Sequence, residues 1–176
     1  MSSHFPGCPS GTPPLPTAFT FINAAELDRL LNPRELAAAL REKFREGGCE
    51  MPARHHHAIH GPAGVEGTLL LMPAWQSGRY LGLKSVTVYP ANPAAGLPTL
   101  MGFYALMNAE TGELLACMDA AVLTAKRTAA ASALAATFLA RADASQLLII
   151  GTGALAPYMI RAHAAARPIS HVAIYG

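Results

Sequence analysis

Six residues near the end of the chain, GTGALA at positions 151–156, carry the small-residue spacing Gly-x-Gly-x-x-Ala. In such a turn the first Gly permits a tight bend and the second lets the backbone approach a pyrophosphate, while the third small residue lets a helix pack on the preceding strand. The helix that opens there also offers free N–H groups and the positive end of its dipole to a phosphate. The chemistry that this spacing favours is binding of a nucleotide diphosphate.

A glycine-rich turn that binds nothing can have the same spacing, so the surrounding sequence decides between the two interpretations. Residues 147–150 form a short, continuous apolar run, which is typical of a parallel strand buried on both faces. A helix over about residues 154–166 and an apolar strand over residues 171–175 follow the turn. The sequence therefore predicts the first β-α-β unit of a dinucleotide-binding domain.

An acidic residue that binds the ribose of a dinucleotide is expected about 20 residues after the turn, at the end of the second strand. The sequence reaches Gly176 without an acid at that point. A single β-α-β unit is also only a fraction of the sheet that binds a whole dinucleotide. We therefore expect this sequence to be the front part of a longer protein.

Three basic residues stand in mostly apolar surroundings. Lys84 lies in the middle of a strand-like run, where an unpaired charge would be costly, so we favour a site role over a surface lysine that reaches out to solvent. Lys126 and Arg127 are the few long side chains of an alanine-rich helix. Their spacing alone leaves a solvated helix surface and a functional position equally open.

Four histidines lie within residues 55–60, which suggests a metal site. Consecutive side chains cannot all converge on one ion, and neither a cysteine nor a carboxylate keeps tetrahedral spacing with them. We therefore predict no metal, and we interpret the histidines as a polar segment that enters a strand. The three cysteines, Cys8, Cys49 and Cys117, are odd in number and lack a CxxC spacing, so they indicate neither a disulfide framework nor a zinc site.

The composition excludes several classes of protein. Hydrophobic residues make up 52% of the 176 residues, yet no apolar run reaches the roughly 18 residues of a membrane span, so we expect no membrane partner. The net charge is +2 and no stripe of lysine or arginine forms, which argues against nucleic acid as a partner. The N-terminus lacks a basic region followed by an apolar one, so we expect a cytoplasmic protein rather than a secreted one.

The remaining pattern describes an α+β unit. Five prolines in residues 1–18 predict a flexible extension, and two helices should follow Asn23 and Asn32, each of which has Glu three residues later. The second helix has an apolar face and ends at a Gly pair, residues 47–48. Strands are predicted over about residues 67–73, 80–89, 100–107 and 114–118, and Asp119 should cap a helix over about residues 121–140. The sheet should be mostly antiparallel, and its exposed strands favour a homodimer that covers apolar surface.

Several motifs together resemble one known family, from about residue 19 to residue 176. They are KSVTVYPAN at residues 84–92, GLPT at 96–99, TGELLA at 111–116, Asp119, LTAKRTAA at 123–130 and GTGA at 151–154. In this order they are similar to the ornithine cyclodeaminase/mu-crystallin family. The resemblance is far more specific than the glycine turn alone.

The resemblance implies an α/β protein of two parts. After the flexible extension of residues 1–18, residues 19–120 would form an α+β substrate-binding and dimerisation domain. Residues 121–176 would supply a linking helix and the first β-α-β unit of a Rossmann domain. Members of the family bind NAD or NADP and act at the α-carbon of small amino or imino acids.

The activity implied first is that of an ornithine cyclodeaminase, which converts ornithine to proline and ammonia by hydride transfer to and from the nicotinamide. A ketimine or Δ1-pyrroline-2-carboxylate reductase and an alanine dehydrogenase are alternatives within the family. A binding protein in the manner of mu-crystallin, without turnover, and an inactive dimer-forming module also stay open. The acidic catalytic residue of the family is expected beyond the printed sequence.

The resemblance also implies roles for individual residues. Arg54 and Lys84 would hold the substrate carboxylate, since a guanidinium can clamp it with two hydrogen bonds and an ammonium adds a point charge. Lys84 is also the catalytic candidate. The residues implied at the cofactor are Thr99, Arg127, Thr128, Gly151, Gly153, Ala154 and Leu155.

Two positions depart from the family pattern. Many relatives have Gln where this chain has Leu155, which removes a side-chain hydrogen bond near the cofactor but leaves the backbone ones. Gly176 stands where the ribose-binding acid is expected. Without that carboxylate there is less reason to reject a 2′-phosphate, so we hypothesise that NADP binds at least as readily as NAD.

Overall fold

The computed structural model describes residues 19–62 and 64–176. The flexible extension predicted for residues 1–18, together with Cys8, lies outside the described residues. The four helices of the described part are α1 (Ala24–Leu30), α2 (Pro33–Glu46), α3 (Ala120–Leu139) and α4 (Ala156–Ala166). Its strands are β1 (Thr20–Ile22), β2 (His55–Gly61), β3 (Gly64–Gln76), β4 (Tyr80–Val88), β5 (Leu100–Asn108), β6 (Leu114–Asp119), β7 (Gln146–Ile150) and β8 (His171–Tyr175). A short 3₁₀ turn at Asn92–Ala95 connects β4 to β5.

Strands β1 to β6 form a single sheet in the order β1-β6-β5-β4-β3-β2. All of its pairings are antiparallel except that of β1 with β6. The mixed α/β class with a mostly antiparallel sheet is thus confirmed. The sequence did not predict β1, because three residues are too few to show a periodic pattern.

Two strand limits differ from the prediction. The histidines do not merely precede a strand: His55 begins β2 and pairs with Leu71. Strand β3 continues past Pro73, where the sequence predicted its end. Proline is tolerated there because the ladder with β2 stops at Leu71, so no hydrogen bond of that ladder needs the missing N–H.

The first two helices begin as predicted. The Asn23 side chain accepts a hydrogen bond from the Glu26 N–H at 3.0 Å, and the Glu26 carboxylate accepts one from the Asn23 N–H at 3.1 Å. In α2, the Asn32 side chain accepts from the Arg34 N–H at 2.9 Å, and Gly47 ends the helix with φ of +66°. These local contacts satisfy N–H groups that would otherwise lack partners.

Alanines form the contact between α3 and α4. Ala129, Ala133 and Ala162 are buried against one another, which lets the two backbones approach closely. The Ser132 hydroxyl and the His163 Nε2 lie 3.1 Å apart across the same interface, where burial lowers the pKa of His163. Helix α4 is thereby held along much of the length of α3.

Arg167 closes the far end of this helix pair. Its Nη2 donates to the carbonyl oxygens of Ala136 at 2.9 Å and Thr137 at 3.0 Å. Both carbonyls lie in the last turn of α3, where the Ala136 oxygen also accepts from the Ala140 N–H and the Thr137 oxygen has no intrahelical donor. Arg167 therefore acts as a C-terminal cap supplied from another part of the chain.

Strands β7 and β8 pair in parallel as a separate two-stranded sheet, with Gln146 opposite His171 and Ile150 opposite Tyr175. The strand-turn-helix-strand order predicted for the end of the chain is confirmed. β7 is not buried on both faces, however, since Leu148 is 60% and Ile150 79% exposed. The reason is that α4 covers one face of this pair of strands while the other face is open to solvent.

The two sheets divide the chain near α3, at the place where the two predicted domains meet, but the division into functional domains stays a prediction. Helix α3 packs on β5 and also on α2 and α4. None of the helices in the described part combines the length and apolar character needed to cross a membrane.

Candidate functional site

One row of side chains crosses the central sheet on its helix-covered face. Met72, Lys84, Tyr104 and Met118 occupy matching positions on β3, β4, β5 and β6. Neighbouring positions in such a row point to the same side of a sheet. On this face, which we call the inner face, Lys84 therefore lies between Met72 and Tyr104.

Arg54 extends the same row. Because His55 is opposite Leu71, Arg54 stands level with Met72, two strands from Lys84. At the usual strand spacing the two Cα atoms are about 10 Å apart, which long side chains can bridge by binding one small anion. Arg54 precedes β2, and the register of β2 on β3 is what brings it level with the row that contains Lys84.

Lys84 is half-buried and donates a hydrogen bond to the Thr124 hydroxyl of α3 at 3.3 Å. Burial lowers the pKa of Lys84, and the positive charges of Arg127 and Arg54 lower it further. Arg127 and Arg54 are thus both close enough to Lys84 to influence its charge. Within the described residues, none of the three forms an ion pair with a carboxylate.

The start of α3 supplies the other side of this site. Asp119 caps the helix by accepting from the Val122 N–H at 2.7 Å, as the sequence predicted. Thr124, Arg127 and Thr128 follow at spacings i, i+3 and i+4, so they share one face of the helix. Because Thr124 contacts Lys84, this face is the one turned towards the sheet.

Lys126 has a different role from its neighbour Arg127. Its Nζ lies 2.9 Å from the Asp28 carboxylate and donates to the Leu31 carbonyl at 2.8 Å and to that of Asp28. Its side chain is only 10% exposed. Lys126 therefore holds the end of α1 against α3. Of the two residues whose role the sequence left open, Lys126 is thus structural.

The glycine turn follows β7 as predicted. Gly151 has φ of +109°, a conformation that favours glycine, and its N–H donates to the Tyr175 carbonyl at 2.7 Å. A Cβ at Gly151 or Gly153 would meet no atom within 4 Å. The turn and its flanking residues border a cleft of about 450 Å³.

Backbone donors are available in this turn. Among the described residues, no backbone carbonyl accepts from the N–H groups of residues 152–155, and the Leu155 side chain does not cap α4. Such a row of free N–H groups at a helix N-terminus suits a phosphate group. The turn therefore fits a dinucleotide, and it does so through its backbone, which the Leu155 substitution leaves intact.

The parallel packing of α3 and α4 determines where the turn lies. Two contacts join residues 31 positions apart, Ser132 with His163 and Ala136 with Arg167. Extending this offset towards the N-termini places Leu155 level with Thr124. The glycine turn thus lies towards the same end of α3 as Thr124, the hydrogen-bond partner of Lys84.

Thr99 is placed apart from Lys84. Its carbonyl accepts from the Tyr89 N–H at 2.8 Å, and it lies five positions along β5 from Tyr104. That separation corresponds to about 16 Å of extended chain. Contact between Thr99 and the cofactor stays a prediction, as does contact between Thr128 and the cofactor.

Two residues at the site were not identified as site residues from the sequence. Thr124 is the hydrogen-bond partner of Lys84, and Tyr104 stands next to Lys84 on the neighbouring strand. Their roles depend on register and helix packing, for which the sequence carries no local signal. Within the described part of the chain, no three histidine, cysteine or acidic side chains gather as metal ligands; His55 and His57 have ring centroids 6.2 Å apart.

Fold and site together define a class of protein in which an α+β sheet carrying several cations precedes a β-α-β unit whose glycine turn suits a phosphate group. A family model described as the ornithine cyclodeaminase/mu-crystallin family matches residues 20–176. The chain belongs to this family, and the resemblance seen in the sequence is confirmed.

Known relatives agree with this assignment. The chain is 36% identical to a Delta(1)-pyrroline-2-carboxylate reductase of Paracoccus denitrificans over 135 residues, which are 76% of this chain and 42% of the relative. An archaeal alanine dehydrogenase dimer with bound NAD has a TM-score of 0.77 and 34% identity, over 89% of this chain and 48% of that one. A lysine cyclodeaminase has a TM-score of 0.74 and 33% identity, over 90% and 49% of the two chains. The chain spans about half the length of these solved structures, and 36 to 48% of the first curated relatives.

The charges around Lys84 give a testable consequence. Replacing Arg127 with Gln removes one positive neighbour, so the pKa of Lys84 should rise towards its ordinary value while burial keeps it below that value. Reductive methylation with ¹³C-formaldehyde, followed by an NMR titration of the Lys84 signal, measures the change. Arg141→Gln is the matched control, because Arg141 is exposed and paired with Asp143 at 3.0 Å beyond the end of α3. An unchanged Lys84 titration in Arg127→Gln would show that the two groups are not close.

Proposed function

We propose that this chain is the substrate-gripping and nucleotide-binding part of an NAD(P)H-dependent enzyme that transfers hydride at the α-carbon of a small amino or imino acid. The first candidate reaction is reduction of Δ1-pyrroline-2-carboxylate, in which the imine, a hydride and a proton give proline. The observation that carries the proposal is the presence of Arg54 and Arg127 near Lys84, which contacts α3 close to the end of that helix towards which the glycine turn lies.

The cations suit the carboxylate of such a substrate. Arg54 and Lys84 approach from different strands of the inner face, so a carboxylate between them would be held from two directions. Its negative charge would relieve the repulsion that lowers the pKa of Lys84. Because Lys84 would contact the substrate directly, it is the residue of this chain to which we assign a catalytic role.

The cofactor would lie along the glycine turn. The free N–H groups of residues 152–155 would hold the diphosphate, with Gly151 and Gly153 leaving room for it. Arg127 and Thr128 would approach the phosphates from α3, and Thr99 would complete the rim. When bound, NADH or NADPH supplies the hydride, while the protein orients the α-carbon and excludes water.

Ornithine or lysine cyclodeamination is the second candidate, because a lysine cyclodeaminase has a similar fold. The grip on the carboxylate would be the same, but the site would also have to accommodate a second amine. Alanine dehydrogenation requires the least space of these reactions. Ligand binding without turnover, in the manner of mu-crystallin, would use the same residues without producing product.

Substitutions at the two halves of the site should have separable effects. In the full-length protein, Lys84→Met should lower kcat/KM with Δ1-pyrroline-2-carboxylate by about 100-fold or more, because a charged partner of the carboxylate is lost. Gly153→Val should abolish cofactor binding but leave the fold intact, since a Cβ there meets only open space. Steady-state kinetics, nucleotide fluorescence titrations and thermal unfolding measure these three properties.

Lys43→Met is the control for these substitutions, because Lys43 is on the surface of α2, paired with Glu46 at 2.7 Å. It should leave kcat/KM unchanged. Pyruvate with ammonia, and ornithine with the oxidised cofactor, are assayed in parallel to distinguish the alternative reactions. Absence of hydride transfer in all three assays, with the cofactor bound, would favour the binding protein and exclude the enzyme.

Cofactor choice follows from Gly176. No side chain at this position can accept hydrogen bonds from the ribose 2′-hydroxyl or repel a 2′-phosphate. We expect the full-length protein to bind NADPH with an affinity at least equal to that for NADH. Fluorescence titrations with both cofactors test this expectation, and strict preference for NADH would contradict it.

The face of the sheet opposite Lys84, which we call the outer face, would form a homodimer interface. Phe21 is 65% and Phe103 45% exposed on this face, while the helices that contact the sheet pack on its other side. A patch of this kind on a soluble protein usually marks an interface, and a second copy can cover it by isologous packing. The solved alanine dehydrogenase relative is itself a dimer.

A charge on the outer face should break this dimer. Phe103→Glu is expected to give monomers in sedimentation-velocity experiments, because two buried carboxylates would face the interface. Phe138→Glu is the control, since Phe138 is exposed near the end of α3, away from the sheet. A monomeric wild-type protein at micromolar concentration, or a dimeric Phe103→Glu variant, would contradict the proposed interface.

A further inference from the structure

Tyr104 is the neighbour of Lys84 on the inner face. The two residues are directly opposite each other in the β4–β5 ladder, and Tyr104 is half-buried. In an antiparallel pair the Cβ atoms of opposite residues are about 4.5–5.5 Å apart. The side chains of Lys84 and Tyr104 therefore start from neighbouring points of the inner face.

The phenol of Tyr104 has a defined position because Gly82 leaves room for it. A Cβ built at Gly82 would come within 1.8 Å of the Tyr104 hydroxyl oxygen and 2.5 Å of its Cζ. The ring thus lies across β4, against the backbone two residues before Lys84 and on the same face. It therefore covers the part of the inner face that precedes Lys84 along β4.

A second tyrosine shows what a purely structural version of this contact looks like. Tyr89 covers Gly67 in the same way, with a Cβ at Gly67 only 2.7 Å from the Tyr89 ring. By the register of β3 on β4, both Gly67 and Tyr89 point to the outer face, away from Lys84. Covering a strand glycine with an aromatic ring is a known stabilising device, so only the face distinguishes the two pairs.

We propose that Tyr104 is a specificity-determining residue: its phenol, held over Gly82, closes the space beside Lys84 and limits the substrate to compact amino or imino acids such as five-membered cyclic imines. This inference rests on the proposed function, because it takes the grip of Lys84 on the substrate carboxylate as given. Burial raises the pKa of Tyr104, with Cys49 nearby adding to the effect, so the hydroxyl stays protonated and can donate a hydrogen bond at neutral pH.

The test compares two substrates that differ by one ring carbon. The kcat/KM of the full-length protein is measured with five-membered and six-membered cyclic imino acids bearing an α-carboxylate. Tyr104→Leu, which still covers Gly82 but is shorter, should raise the six-to-five ratio of kcat/KM by about 10-fold, the usual effect of one methylene in a fitted pocket. Tyr104→Ala should raise this ratio further, and Tyr104→Phe should leave it close to that of the wild type.

Tyr89→Leu is the matched control. It removes the same kind of ring from the same kind of glycine, so it should lower the thermal unfolding midpoint about as much as Tyr104→Leu. The ratio of the two kcat/KM values should not change in this variant, since a loss of stability alone affects both substrates equally. Cofactor affinity should also be unchanged in both variants.

The outcomes separate the two proposals. A wild-type protein that reduces the five-membered imine but shows the same six-to-five ratio in Tyr104→Leu and Tyr104→Ala would overturn the role of Tyr104 and leave the proposed function standing. A wild-type protein with no activity on either ring would overturn cyclic-imine reduction, the first candidate reaction of the proposed function, and, with it, this inference. A ratio that shifts equally in Tyr89→Leu would show that the effect comes from general loosening of the sheet.

Discussion

The half-buried ammonium of Lys84, which has two exposed cations, Arg54 and Arg127, near it, is the constraint on which the site depends. Burial lowers the pKa of Lys84, the positive charges of Arg127 and Arg54 lower it further, and no carboxylate among the described residues forms an ion pair with any of the three. A half-buried ammonium without an ion-pair partner is unfavourable for folding and persists only where the surrounding elements fix it. Here β4 and α3 fix it through the hydrogen bond from Lys84 to Thr124. This cost in stability agrees with the proposed role of Lys84 in binding an anion.

Helix α3 packs both on the sheet that carries Lys84 and on α4, the helix that follows the glycine turn. Its alanines let α4 pack so closely that the N-terminus of α4 is carried to the start of α3. Two adjacent residues of this helix have different neighbours. Lys126 turns towards α1 and holds it, while Arg127 stays near Lys84, because consecutive residues on a helix point about 100° apart. The alanine-rich sequence of α3 thus allows close packing and also carries a few charged side chains at defined positions.

Features set by local chemistry could be predicted from the sequence. The Asn23, Asn32 and Asp119 caps are formed by residues within three positions of one another, and the glycine turn follows its apolar strand directly. Features set by pairing between distant segments could not be predicted. The parallel pairing of β1, the strand formed by the histidines and the contact between Lys84 and Thr124 each depend on residues far apart in the chain.

Strand register decides which of two similar tyrosines belongs to the site. Tyr89 and Tyr104 both cover a glycine across β-strands, and nothing in their immediate sequences distinguishes them. A shift of one residue in the β4–β5 ladder would place Phe103 opposite Lys84 on the inner face and turn Tyr104 to the outer face. The same shift would put the apolar residues of the outer face into the cationic site. The register that keeps these apolar residues on the outer face is therefore also the register that places Tyr104 beside Lys84, so both features depend on the same pairing.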